Sequence, residues 1–264
     1  MSGTQTLRRV ARAILPLVVS IALAISIGGV ADAQPPNTQV SNDTQFQPPP
    51  VEDNTIFYHV LFDQLEGRTN GPDNEFRWDG EGWIGTDMNK LWFKSESFVE
   101  HGKMTDGDQE VLYDRPIPYL RYFDFQAGVR YDLDSNPGRT WGAIGIEGLA
   151  PYFFEFAPTF YFSNRGFFAG RAEGSYDILI TNRLIAQPQF EMNFYSKSNP
   201  SRGIGSGLAE LDTGLRIRYE ITRKFAPYIG FAYNQAFGET ASFTREEGGI
   251  VHDPRFVYGV RLWY

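Results

Sequence analysis

The stretch ELDTGLRIRYEI, Glu210 to Ile221, decides the fold class. Leu211, Thr213, Leu215, Ile217, Tyr219 and Ile221 occupy alternate positions, and Glu210, Asp212, Arg216, Arg218 and Glu220 fill the others with Gly214 among them. Side chains along a strand point to opposite faces with a period of two, so one face of this segment is apolar and the other charged. An apolar face of this kind suits lipid. The charged face needs water or partners of opposite sign, and a barrel lumen supplies both.

The same split recurs along the chain. In Tyr122 to Asp132, Phe123, Phe125, Val129 and Tyr131 oppose Asp124, Gln126, Arg130 and Asp132. In Phe168 to Thr181 and Leu184 to Tyr195, aromatic and aliphatic residues again oppose Arg171, Glu173, Asp177, Gln189 and Glu191. Further strands are expected at 55–66, 74–85, 90–101, 109–116, 139–147, 152–163, 225–238 and 255–264. The reading is all-β: a transmembrane antiparallel β-barrel of about twelve strands, an even number as in bacterial outer-membrane barrels. Tight joints at Ile117-Pro118, Thr181–Arg183 and Ile221–Lys224 alternate with longer connections at Gly102–Asp108, Lys197–Gly207 and Gly238–Pro254. Short turns face the periplasm in such barrels, which puts both termini on the periplasmic side. No segment after the N-terminal region carries a helical period.

Ahead of the barrel, Arg8, Arg9 and Arg12 precede a mostly apolar run from Ala13 to Val30, closed by Ala31-Asp32-Ala33. A basic head, an apolar stretch and a small-x-small site are the marks of a cleaved secretory signal, expected over residues 1–33. Residues 34–54, rich in Pro, Gln and Asn, are expected to be a disordered periplasmic tail. The barrel domain is then 55–264, destined for the bacterial cell outer membrane and its lipid. The chain has no cysteine, so an exported protein of this composition relies on a large core or a closed barrel rather than on disulfides. The net charge of −8 argues against nucleic acid, whose phosphates need clustered Lys and Arg, and an acidic lumen would favour cations.

The last ten residues, RFVYGVRLWY, place Phe256, Tyr258, Val260, Leu262 and Tyr264 in alternation. This ladder ending in an aromatic resembles the C-terminal signature by which assembly machinery recognises barrels, with Tyr264 in the interfacial girdle. Longer blocks carry a family likeness: RGIGSGLAELDTGLRIRYEITRKFAPYIGF (202–231), LWFKSE (91–96), FDFQAGVRYD (123–132), RTWGAIGIEGLAPYFFE (139–155) and YDILITNRLIAQPQ (176–189). Through these blocks the chain resembles the copper-resistance protein B family of outer-membrane proteins. The resemblance implies a barrel that binds copper ions and contributes to copper resistance and homeostasis, with periplasmic copper-binding proteins as partners. Well-known members carry a Met- and His-rich segment ahead of the barrel. Here no Met or His lies between Gln34 and Tyr58, so any copper chemistry is expected from the barrel itself.

Only three His are present, which narrows the metal candidates. His59 alternates with Phe57, Leu61 and Asp63 and is expected to point inward. A first hairpin folded near Asn70 sets His59 opposite Trp83, with Met88 in the turn beyond and Asp63 on the same face. Imidazole, thioether and indole together suit Cu(I), which is soft and can lie over an aromatic face. A second candidate is His101 at the outer end of the third strand, with Met104, Asp106 and Asp108 in the following loop. His252 stands beside Asp253 in the last long loop. The inward charges Lys94, Glu96, Arg130, Arg171, Glu173, Glu191, Arg216, Arg218, Glu220 and Arg261 either line a path or lock the lumen by ion pairing. A generic small-solute pore or structural barrel is the alternative function. A lipid-modifying enzyme is another, but no G-x-S-x-G pattern or Ser–His pairing is legible, and the expectation is a non-enzymatic protein.

Overall fold

The computed structural model describes residues 55–71, 73–133, 138–163 and 166–264. The expected signal (1–33) and tail (34–54) lie outside the described residues. Among the described residues thirteen strands form one sheet: β1 (Phe57–Asn70), β2 (Asp73–Gly85), β3 (Lys90–Glu100), β4 (Lys103–Pro116), β5 (Phe123–Asp132), β6 (Arg139–Ala150), β7 (Phe154–Phe162), β8 (Phe168–Ser175), β9 (Ile178–Leu179), β10 (Leu184–Tyr195), β11 (Gly207–Tyr219), β12 (Phe225–Ala236) and β13 (His252–Trp263). β8 and the two-residue β9 both pair with β10 and form one interrupted stave, so the wall has twelve staves. β13 pairs antiparallel with β1, from Leu61↔Trp263 to Thr69↔Phe256, and closes the barrel. Closure gives each strand except the two-residue β9, which pairs with β10 alone, a partner on both edges, which is what permits strands to stand in hydrocarbon.

An even number of staves returns both ends of the barrel to one rim. The two longest connections, 196–206 and 237–251, lie at the other rim, so that rim faces outward by the rule that long loops are external. The periodicity read from Glu210–Ile221 holds: Asp212, Arg216 and Arg218 are buried inside, while Leu215 and Tyr219 are exposed on the wall's outer face. Cross-strand partners share a face, so the register assigns the rest. Inward runs include Arg77, Asp79, Glu81 and Trp83 on β2, opposite Phe98, Glu96, Lys94 and Trp92 on β3. A small apolar cluster (Leu112, Trp141, Ala143, Tyr161 and Ala169) fills one side of the interior, with Trp92 packed against it.

Two expectations fail. Gly102–Asp108 is not a loop: β4 starts at Lys103, and β3 and β4 join through His101-Gly102 alone. Both of those residues take positive φ (49° and 77°), as a two-residue primed hairpin turn requires, and His is among the residues that tolerate it. The second failure is the helix α1 (Gly238–Glu246) within the last long connection, where none was expected. Its sequence, GETASFTRE, has no apolar stripe to reveal it. The helix is held instead by Thr240, whose Oγ1 accepts from the Gly205 N–H at 2.8 Å, and by Ala241 packed with Ala236 and Val251. Glu239 in its first turn and Arg245 in its last agree with the helix dipole.

Candidate functional site

The interior at mid-height is a lattice of guanidinium and carboxylate groups. Arg216 on β11 grips Glu66 on β1 through Nε–Oε2 (2.9 Å) and Nη2–Oε1 (2.8 Å). Arg68 binds Glu66 (2.7 Å) and Asp212 (2.6 Å), and the Tyr228 hydroxyl donates to Glu66 at 3.0 Å. Arg77 on β2 is paired with Glu96 on the adjoining strand and reaches Glu191 on β10, nearly opposite, at 3.4 Å. Arg171 on β8 crosses to Asp108 (2.7 Å) on β4 and Glu96 (3.4 Å) on β3, and Arg130 adds a second hold on Asp108 at 3.0 Å. Glu66 and Arg216 are 0% and 1% exposed, so side chains and not solvent surround this pair. Burying so many charges is tolerable only because each finds a partner.

Below this lattice, Lys94 meets Glu147 at 2.5 Å, while Arg261 takes Asp63 at 2.6 Å. One oxygen from each of Glu96, Glu173 and Glu191 lies within 4.8 Å of the others, a grouping able to hold a cation. Alternation marked all three as inward. Their convergence from β3, β8 and β10 depends on barrel closure and was not legible. Oxygen donors suit hard cations better than Cu(I), and Arg77 and Arg171 already share these carboxylates.

At the periplasmic rim the register pairs His59 with Trp83, as the hairpin reading required. The imidazole lies 6.3 Å from the Trp83 ring and 5.7 Å from that of Trp263, centroid to centroid. Trp263 joins the group because β13 closes onto β1, a contact the sequence order does not announce. Trp83 in turn neighbours Trp92 at 6.3 Å and carries Lys90 over its face at 5.7 Å. Met88 is exposed in the bend after β2, closed by Thr86 N–H to Asn89 oxygen at 2.9 Å, at the same rim. Asp63 sits where the β1 register shifts between Phe62 and Gln64, and its carboxylate is engaged by Arg261.

The outer candidate lies on a tight hairpin and not in the longer loop expected. His101 is exposed in the hairpin turn, whereas Met104 lies within β4 opposite Val99, its sulfur 3.9 Å from Ser97 Oγ. Asp108 belongs to the buried lattice. His252 stacks on Tyr233, whose hydroxyl lies 3.0 Å from its Nδ1.

Solved structures similar to this chain include two porins. NanC porin is 13% identical with a TM-score of 0.49, over 78% of this chain and 99% of that one. KdgM porin is 11% identical with a TM-score of 0.46, over 77% and 98%. Sequence relatives include "Copper resistance protein B" of Escherichia coli, 42% identical over 87% of this chain and 78% of its own length. Another is the "Copper resistance protein B homolog" of Pseudomonas syringae pv. tomato (strain ATCC BAA-871 / DC3000), 38% identical over 81% and 72%. Residues 56–264, the whole barrel, match the family "Copper resistance protein B precursor (CopB)". The chain is an outer-membrane β-barrel and belongs to the copper resistance protein B family.

Proposed function

We propose that this barrel contributes to copper resistance by binding copper ions at its periplasmic mouth, around His59. The observation that carries this reading is the inward imidazole between the Trp83 and Trp263 rings. Imidazole nitrogen is a good copper donor, and indole faces attract a soft, weakly hydrated monocation. Met88, on the neighbouring bend, supplies a thioether of the kind Cu(I) prefers. His101 and Met104, on the outer hairpin, form a secondary candidate. Family membership supports copper as the cargo, and periplasmic copper-binding proteins are the partners that a periplasmic mouth would serve.

The filled lumen favours binding and sequestration over free conduction. Passage of an ion would require the Arg77–Glu191 and Arg171–Asp108 links to part. The same packing weighs against the generic-pore reading. We read the protein as non-enzymatic.

Titration of the refolded barrel with Cu(I) under reducing conditions, against a calibrated competing chelator, tests the proposal. Saturable binding that survives deletion of residues 35–54 is expected. Absence of binding by the wild type would sink it.

A further inference from the structure

The two rims of the wall carry different charge. On the periplasmic turns the exposed charged residues, among those described, are Arg121, Arg183, Arg223 and Lys224 against Asp87. On the outer connections they are Lys197 and Arg245 against Glu239, Glu246 and Glu247. The chain as a whole is acidic, at −8, so the basic periplasmic rim is a local arrangement and not a reflection of composition.

Two of these cations are adjacent and held in place. Arg223 and Lys224 form the tip of the hairpin between β11 and β12, which Thr222 and Phe225 close by exchanging backbone hydrogen bonds of 3.2 and 3.3 Å. Trp263 fixes the tip against the last strand: its backbone N–H donates to Lys224 oxygen at 3.2 Å, and its indole Nε1 donates to Arg223 oxygen. Lys224 Nζ then lies 4.3 Å from the Tyr264 ring centroid. The Arg223 side chain is 85% exposed, and Glu220 stands 4.0 Å from it, so most of its planar fork of donors is open to a ligand.

This tip borders the lipid-facing side of the wall. Tyr264 stacks on Tyr58 at 6.3 Å, and Tyr58 alternates with inward His59, so both rings lie on the outer face. Tyr219 and Phe225, on either side of the tip, are exposed on that face too. Elsewhere on the rim Arg115 follows Val111 and Tyr113 along the outer face of β4 and is paired with Phe125. Exposed aromatics on a barrel's outer face near its rim mark the headgroup level. Lys and Arg at that level reach phosphates while their stems cover apolar wall. A soluble protein approaching the mouth end-on would meet the turns but not Arg115 or the Tyr58–Tyr264 face. Charge and position together fit an anionic lipid surface.

We propose that the Arg223–Lys224 tip binds the phosphate of an anionic glycerophospholipid in the periplasmic leaflet, at the level that Tyr58 and Tyr264 mark. Arg115 and Arg121 extend the same preference around the rim. The site is separate from the copper reading and stands or falls without it.

The test uses the barrel purified in mild detergent, read by native mass spectrometry after equal additions of phosphatidylglycerol and phosphatidylethanolamine. These lipids share the phosphate but differ in net charge. Wild type is expected to retain phosphatidylglycerol several-fold over phosphatidylethanolamine. Arg223→Gln with Lys224→Gln is expected to lose most of that preference, whereas Lys197→Gln with Arg245→Gln, on the outer rim, leaves it intact. Heat-modifiable gel migration verifies that each variant folds, and Arg223→Gln alone replaces the double variant should that fail the check. No preference in wild type, or an undiminished preference in a folded tip variant, overturns the proposal. An equal loss in the outer-rim variant overturns the assignment to the periplasmic leaflet. An acidic protein that copurifies with wild type and is lost from the tip variant, with lipid retention unchanged, would make the tip a protein-docking surface and also overturns it.

Discussion

Arg216 and Glu66 meet through two parallel hydrogen bonds, 2.9 and 2.8 Å, although 150 residues separate them and neither is reached by solvent. The pair forms because β13 closes onto β1 and brings β11 within reach of it. A bidentate guanidinium–carboxylate contact fixes orientation as well as charge, so it sets the shape of the lumen around it.

Glu66→Ala removes the anion that Arg216, Arg68 and Tyr228 all address. Two buried guanidiniums would then confront each other with one carboxylate fewer. Breaking a buried pair in this way costs about 3–5 kcal/mol. The expected outcome is a marked fall in the temperature at which the folded gel band converts to the unfolded one. An unaltered transition would refute the structural weight given to this pair.

Arg171→Gln keeps much of the side chain's bulk but releases Asp108, Glu96 and Glu191 from a shared cation. The lattice across the lumen loosens, and the freed carboxylates favour cations. Planar-bilayer recordings should show little conductance for wild type and a cation-selective leak for the variant. A large open conductance in wild type would contradict a lumen sealed by these side chains.

Leu215 projects from the outer face of β11, between buried Arg216 and Gly214 of the inner face. Leu215→Arg would set a cation in the hydrocarbon layer, at a cost of about 2–4 kcal/mol near the bilayer midplane. Refolding titrations in lipid vesicles should show that loss. Arginine tolerated there without change would mean that this face does not meet lipid.

Tyr264 stacks on Tyr58 at 6.3 Å between centroids and carries Lys224 Nζ 4.3 Å from its own. Its N–H donates to Val60 oxygen at 2.8 Å and its oxygen accepts from Val60 N–H at 3.0 Å, so the last residue completes the closing seam. Tyr264→Asp replaces an interfacial aromatic by an acid at that seam. Outer-membrane levels should fall in fractionated cells, and normal levels would count against the seam's importance.

Changing His59 and Met88 together to Ala should weaken Cu(I) binding by about tenfold or more, each factor of ten being about 1.4 kcal/mol. His252→Ala, whose imidazole is engaged with Tyr233, should leave affinity unchanged. Copper should also quench tryptophan fluorescence in wild type, because Trp83 and Trp263 flank the imidazole, and quench it less in the double variant. Equal affinities for wild type and double variant would shift attention to His101 and Met104.

Alternation was legible because a strand in a barrel wall separates two solvents at every residue. Each of Leu211 to Ile221 therefore declares its side through its own chemistry, and the face, the strand count and the pairing of His59 with Trp83 followed from local order alone. Local order failed at His101-Gly102, where a polar run from Gly102 to Asp108 imitates a loop but is strand from Lys103 on, paired with β3, and Asp108 faces a lumen whose guanidiniums neutralise it. It failed again at α1, whose short polar sequence is helical through contacts with Gly205 and Val251. Which carboxylate meets which guanidinium across the lumen was decided only by closure. Charges on one strand state that partners are needed, but the curvature that brings β8 across to β4, or β13 onto β1, belongs to no single strand. For the same reason Trp263 beside His59 and the convergence of Glu96, Glu173 and Glu191 exist only in the closed wall.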